Sequence, residues 1–280
     1  MNQSQCPIIA VTNQKGGVGK TTTAINLAQA LALQDLRVLL VDLDPQGNAS
    51  QGVGVRLETI QGSIADMIRD RAFPTERAIY KGDGLDLIPA TPLLSRVERE
   101  MPALTNSELR LAQRLAPLRT QYAAILIDSP PTFGSLMNSA LNAASQLIVP
   151  VDSSYFALMG IKELLAEVDE IQRGTNPRLT VLGYLLTIVD PTNIANQTWD
   201  TLVSNFGAAV FETKIKRSVK LREAPALGKT IFHHAPESTG ARDYLGLANE
   251  VMTRLGIGDI STCASYARPA LSVVTGVAHE

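Results

Sequence analysis

The 280-residue sequence contains only two cysteines, Cys6 and Cys263, near opposite ends. Two are too few for a disulfide framework, so a disulfide-stapled scaffold is excluded and a reducing compartment is expected. No apolar run approaches the roughly 20 residues that a membrane helix needs. Met1 to Pro7 is polar and leads directly into an apolar run, so no signal peptide is expected, and the chain is read as cytoplasmic. An excess of one charge is also missing. Lys and Arg number 25 against 27 Asp and Glu, a net charge of −2. Bulk charge therefore points to neither nucleic acid nor membrane, and any such partner must be met by a local patch.

What is present suits one large ordered domain. Hydrophobic residues make up 45 % and charged residues 19 %, enough to close a sizeable core at this length. Short apolar runs at Ile8–Thr12, Val38–Asp42, Leu85–Ile88, Ala124–Asp128, Leu147–Val151 and Val181–Ile188 are continuous rather than alternating. Strands covered on both faces have that pattern. Helical periodicity falls between them at about Lys20–Leu33, Glu108–Leu115, Leu136–Ala144, Ile161–Arg173 and Ile194–Phe206, and again at Ala241–Leu255. Alternating strand and helix predicts an α/β fold: a doubly wound, mostly parallel sheet with helices on both faces. The domain is expected to span residues 1–256. Residues 257–280 are small, polar and weakly periodic, and read as a loosely ordered tail.

The first predicted strand runs into Asn13-Gln14-Lys15-Gly16-Gly17-Val18-Gly19-Lys20-Thr21-Thr22-Thr23 and then a helix. Strand, glycine-rich loop and helix form the setting of a phosphate-binding loop. Glycines let successive backbone N–H groups turn inward, and the following helix adds its positive end. Gly16, Gly17, Val18, Gly19 and Thr22 would line that cradle. Lys20 would reach the β and γ phosphates of ATP, and the Thr21 hydroxyl would ligate Mg²⁺. The usual G-x-x-x-x-G-K-[ST] string is not met, because Gln14 stands where its first glycine belongs. A second lysine, Lys15, precedes Gly16 instead. This form resembles the deviant Walker A box of the family that includes ParA, MinD and the nitrogenase iron protein. The resemblance implies that Lys15 crosses to the nucleotide of a second copy, and hence a homodimer with ATP sandwiched at its interface.

Two apolar strands end in acids. Val38–Asp42 continues as Leu43-Asp44-Pro45-Gln46-Gly47-Asn48, placing carboxylates at the strand edge where ligands bind in such sheets. Asp44 is placed to orient a water toward the γ-phosphate and to hold the Mg²⁺ shell. The string D-x-D-P-Q-G-N resembles the ParA box, which implies that Asp44 is the catalytic carboxylate beside Lys15 and Lys20. Ala124–Asp128 followed by Ser129-Pro130-Pro131 reads as a Walker B strand, with Asp128 toward Mg²⁺ and the prolines stiffening a switch loop. The family usually has Cys at the position of Ser129. Pro150-Val151 and Tyr155-Phe156-Ala157-Leu158 with Gly160 also resemble ParA relatives.

ATP is preferred over GTP because Thr213-Lys214-Ile215-Lys216 lacks the acid of an [NT]-K-x-D guanine box. The family commonly reads Pro-Arg-Asn where this chain has Lys216-Arg217-Ser218, so the base contacts stay unassigned. Between Lys214 and Lys229 lie six cations (Lys214, Lys216, Arg217, Lys220, Arg222, Lys229) and one acid, Glu223. Such a patch binds the phosphate backbone without reading sequence and weakens steeply with salt. Lys220-Leu221-Arg222-Glu223-Ala224-Pro225 resembles the ParA segment for non-specific duplex DNA, so Lys214, Lys216, Arg217, Lys220 and Arg222 are expected to contact DNA. The alternative for this stretch is a solvated basic loop, or one that partly serves the nucleotide.

The expected activity is therefore an ATPase switch, slow alone and stimulated by a cargo-bound partner protein. Its ATP dimer would coat the nucleoid and partition or position a plasmid, chromosome origin or protein complex. A MinD-like membrane regulator is the alternative. It would need a C-terminal amphipathic helix, whereas Gly258–Glu280 has one arginine, no lysine and no aromatic but Tyr266. A reductase is disfavoured because Cys6 and Cys263 sit away from the nucleotide loops. No helix-turn-helix domain is expected before Ile8. His233-His234 are neighbours whose side chains diverge, so a shared metal is not expected, and Trp199 reads as core or interface.

Overall fold

The computed structural model describes residues 6–82, 84–154 and 157–257, without the side chains of residues 157–159. Cys263, the predicted tail from residue 258 onward, and the Tyr155-Phe156 part of the ParA-like string lie outside these residues. In chain order the elements are β1 (Ile8–Val11), α1 (Lys20–Ala32), β2 (Val38–Asp42), α2 (Asn48–Gly52), α3 (Ile64–Arg69) and β3 (Asp86–Ile88). Then come α4 (Leu93–Glu100), α5 (Ser107–Leu115), β4 (Ala124–Asp128), α6 (Ser135–Ala143), β5 (Gln146–Asp152) and α7 (Ala157–Arg173). The chain continues through β6 (Thr180–Thr187), α8 (Asn193–Phe206), α9 (Val219–Ala226), α10 (Ile231–His234) and α11 (Thr239–Leu255).

The six strands form one sheet in the order β3-β2-β4-β1-β5-β6, and every strand pair is parallel. The continuous apolar runs follow from this arrangement. Alternate residues of one strand feed different cores, as with Ile8 and Ala10 on one face of β1 and Ile9 and Val11 on the other. Helices α3 to α7 cover the first face, and α1, α9 and α11 cover the second. A one-residue slip in register would exchange the two sets, and full burial on both sides makes that costly.

All six expected strands and all six expected helices are present, β2 and β4 with the expected bounds and the others with no end shifted by more than four residues. Five short helices were not foreseen: α2, α3, α4, α9 and α10. The basic stretch is partly helical, since α9 contains Lys220, Arg222 and, in its last turn, Pro225. Helix α3 begins at a capping box in which Asp66 takes the place usually held by Glu or Gln.

Parallel strands deliver their C-terminal ends to one edge. Asp42, Asp128, Asp152 and Thr187 all occupy last positions of strands there. The loop after β1 enters the same crevice. No helix among the described residues is long and apolar enough to cross a membrane.

Candidate nucleotide site at the C-terminal edge of the sheet

The loop between β1 and α1 turns on two glycines in left-handed conformation, Gly17 at φ 78° and Gly19 at φ 85°. A side chain at either would be strained. Around Gly16 and Gly17 no atom lies within 4 Å of where a Cβ would stand, so the backbone faces open space. The loop is held from below. Asn13 donates from Nδ2 to Pro150 O at 2.7 Å and accepts from Lys15 N at 3.0 Å. Thr187 donates to Val18 O at 2.8 Å, and Val18 itself is buried.

Lys20 opens α1 and is 7 % exposed. Its ammonium donates to Lys15 O at 2.9 Å. Burial pulls its pKa down, while the carboxylates of Asp128 and Asp44 oppose that pull. Asp128 is fully buried, and neither of its oxygens has a hydrogen-bond partner among the described residues. The Thr21 side chain is its neighbour. Burial raises the Asp128 pKa well above the carboxylate range, and Asp42, its register partner on β2, adds to the rise. Asp44 is 7 % exposed and lines the cavity. Its Oδ1 accepts from Gln46 N at 2.9 Å.

Lys15 takes a different course. Its Nζ donates to both oxygens of Asp152, at 2.9 and 2.7 Å, and to Ser154 Oγ at 2.7 Å. The Lys15 side chain stays 39 % exposed. The loop therefore carries two lysines with unlike settings, one buried among acids and one held at the rim.

A cavity of about 490 Å³ runs from Gly16–Thr22 past Asp44 and Pro131 to Ile188, Ile215–Ser218, Leu221, Arg222 and Tyr244. The basic segment thus borders the phosphate loop. Its five expected DNA-contacting cations are not equivalent. Lys214 is half-buried, with Nζ 3.6 Å from the centre of the Trp199 ring. Arg217 makes two 2.8 Å bonds to Asp190. Lys220 is paired with Glu223 at 2.9 Å, and Glu223 is shared with His234 at 3.1 Å. Lys216 and Arg222 are exposed and, among the described residues, carry no ion pair. His233 bonds Thr230 at 2.9 Å while His234 bonds Glu223, so the two rings serve separate partners.

Sequence reasoning missed the residues that hold these groups. Asp152, Ser154 and Thr187 come from strand ends and loops far along the chain. Glu98 of α4 sits near Asp44 and faces the Leu136 N–H at the start of α6, and burial raises its pKa. Asp42 opens the D-x-D string, and the string alone assigns it no role.

A glycine cradle at a helix start, a buried lysine beside it and acids at the neighbouring strand ends define a P-loop nucleotide-binding protein. Comparison with known proteins narrows this. The AAA domain family matches residues 6–181. The chromosome-partitioning ATPase Soj of Thermus thermophilus is 47 % identical over 248 residues, covering 88 % of this chain and 96 % of the relative. The chromosome partitioning protein ParA of Myxococcus xanthus is 42 % identical, covering 88 % of each. A crystal structure of cobyrinic acid a,c-diamide synthase from Mycobacterium smegmatis with ADP and magnesium superposes with a TM-score of 0.79. It is 29 % identical, over 91 % of this chain and 97 % of that one. The chain belongs to the ParA/Soj group of P-loop ATPases with a deviant Walker A box.

Proposed function

We propose that this chain is a nucleotide-driven positioning switch. Two copies join around ATP, the dimer holds duplex DNA without sequence preference, and a cargo-bound partner protein accelerates hydrolysis and release. The observation that carries this reading is the unlike setting of the two loop lysines. Lys20 is buried with its ammonium on Lys15 O, and in this reading it serves the phosphates of the nucleotide bound to its own chain. Lys15 is half-exposed at the rim, where a second copy could receive it. For Lys15 to cross, it must leave Asp152 and Ser154. Partly exposed pairs of this kind are worth about 0–1 kcal/mol, so exchange for a phosphate is cheap.

The site suits ATP with Mg²⁺. Backbone N–H groups of Gly16–Thr22 would surround the phosphates, and the Thr21 hydroxyl with Asp44 and Asp128 would hold the metal. The two partnerless oxygens of Asp128 are the matching acceptors. Mg²⁺ there would neutralise phosphate charge and fix its orientation. Asp44 orients the attacking water, and Lys20 stabilises charge on the phosphate oxygens. The ATPase unit is proposed to span residues 1–256, in a cytoplasmic, nucleoid-associated protein.

DNA binding rests on Lys216 and Arg222, with Arg217 and Lys220 able to exchange their acids for phosphates. Duplication of the patch in a dimer would raise the affinity and its salt dependence together. The test is retention on plasmid DNA with no nucleotide, with ADP and with ATP, at two salt concentrations. Retention only with ATP that falls with salt is expected. Equal retention in all three, or none, defeats the DNA reading.

A further inference from the structure

The segment that carries Asp44 is tied at both ends to a single carboxylate. Asp42 ends β2 and is completely buried. Its Oδ1 accepts from Asp44 N at 3.2 Å. Its Oδ2 accepts from Ser50 N and from Ser50 Oγ, both at 2.7 Å. Ser50 Oγ in turn accepts from Ala90 N at 3.0 Å, just beyond β3. One carboxylate therefore clamps residues 44 and 50, and one hydroxyl fastens that clamp to the neighbouring strand.

The local structure depends on this arrangement. Helix α2 has five residues, and its N-cap, Gly47, offers no side chain. So short a helix is unstable alone. Asp42 serves as the missing cap from outside, since Ser50 is the third residue of the helix and its N–H would otherwise be unpaired. Inside the clamp, Gly47 at φ 65° closes a turn by donating to Asp44 O at 2.9 Å. Asp44 Oδ1 is turned toward Gln46 N. The bonds that Asp44 accepts from Gln46 N and Gly47 N both lie between the two ends that Asp42 holds.

We propose that Asp42 and Ser50 are positioning residues for Asp44 in ATP hydrolysis. Both are completely buried and neither lines the cavity, but they fix the orientation of the carboxylate that does. This rests on the reading of Asp44 as the water-orienting group. A loss of position on the order of 1 Å costs about 100-fold in rate. Nucleotide affinity, set by the phosphate loop on a different segment, should not follow.

The test compares the full-length wild type with Ser50→Ala, Ser50→Thr and Asp42→Asn. Ser50→Ala removes the bridging hydroxyl and Ser50→Thr keeps it. Asp42→Asn keeps the volume and turns one acceptor into a donor. ATP dissociation constants, kcat with Mg²⁺, thermal midpoints and amide exchange across residues 43–50 are measured. Ser50→Ala and Asp42→Asn should bind ATP within about twofold of wild type, while kcat falls by about 10- to 100-fold. Ser50→Thr should recover most of that loss, and exchange at residues 43–50 should quicken in Ser50→Ala alone of the two serine variants. Wild-type turnover in Ser50→Ala, or ATP affinity lost in step with kcat, overturns the proposal. So does slow turnover in Ser50→Thr at an unchanged thermal midpoint. If wild type hydrolyses no more ATP than Lys20→Ala, the ATPase reading fails instead. Unchanged amide exchange in Ser50→Ala then still overturns the clamp.

Discussion

The two sides of the nucleotide crevice are held by different kinds of bond. On the acidic side, Asp42, Asp44 and Asp128 are buried or nearly so: Asp42 is set by strand register and hydrogen bonds, Asp44 by hydrogen bonds, and Asp128 by register. On the cationic side, Lys15, Arg217 and Lys220 are partly exposed and are each matched to an acid of their own chain. Buried, multiply bonded groups keep one geometry whatever is bound. Exposed ion pairs contribute little to stability and can trade one anion for another. A switch needs both: chemistry that stays in register, and contacts that change with the nucleotide.

Breaking the fixed side should give the largest effect. Asp44→Ala is expected to lower kcat by about 100- to 10,000-fold with ATP affinity retained, and to lengthen the life of an ATP dimer. Steady-state phosphate release beside ATP titration checks this, and ready turnover would remove Asp44 from the chemistry. Lys20→Ala comes next. Loss of charge-assisted bonds to phosphate should weaken ATP by about 10- to 100-fold, read by titration with a fluorescent ATP analogue.

A smaller effect is expected where the two sides meet. Gly54 and Gly228 pack backbone against backbone, both at positive φ. A Cβ on Gly228 would stand 2.8 Å from Gly54 Cα. Gly228→Ala should cost about 1–3 kcal/mol in the unfolding equilibrium. A denaturation midpoint equal to wild type would show that this contact is slack.

The smallest expected effect sharpens the comparison most. Asp152→Asn frees the Lys15 ammonium from its acid and should ease ATP-dependent dimerisation by no more than about fivefold, with monomer ATP affinity unchanged. Analytical ultracentrifugation with ATP measures it. Weaker dimerisation instead would mean that Asp152 aims Lys15 rather than restrains it.

The sheet was legible in the sequence because strands buried on both faces leave unbroken apolar runs, and the phosphate loop because its glycines and lysine are consecutive. Groups held by partners distant in sequence were not legible. Lys15 meets Asp152 across 137 positions, and nothing in its own neighbourhood announces that acid. Helix α2 escaped notice because its cap comes from β2 rather than from the residue before it. Helix α9 escaped because Pro225, which reads as a stop, falls in its last turn where the lost N–H is tolerated against the packing of Leu221 and Ala224. The basic segment was legible as charge, but its division into paired and unpaired cations was not. Trp199 over Lys214 and Asp190 beside Arg217 belong to other elements.

That tryptophan is the only one in the chain, and a lysine ammonium stands 3.6 Å from its ring centre, at the start of the basic segment. Indole emission shifts and dims with the charge beside it. The protein therefore carries its own optical reporter: any nucleotide- or DNA-driven movement of the segment that carries Lys214 will change the light it emits, with no label attached.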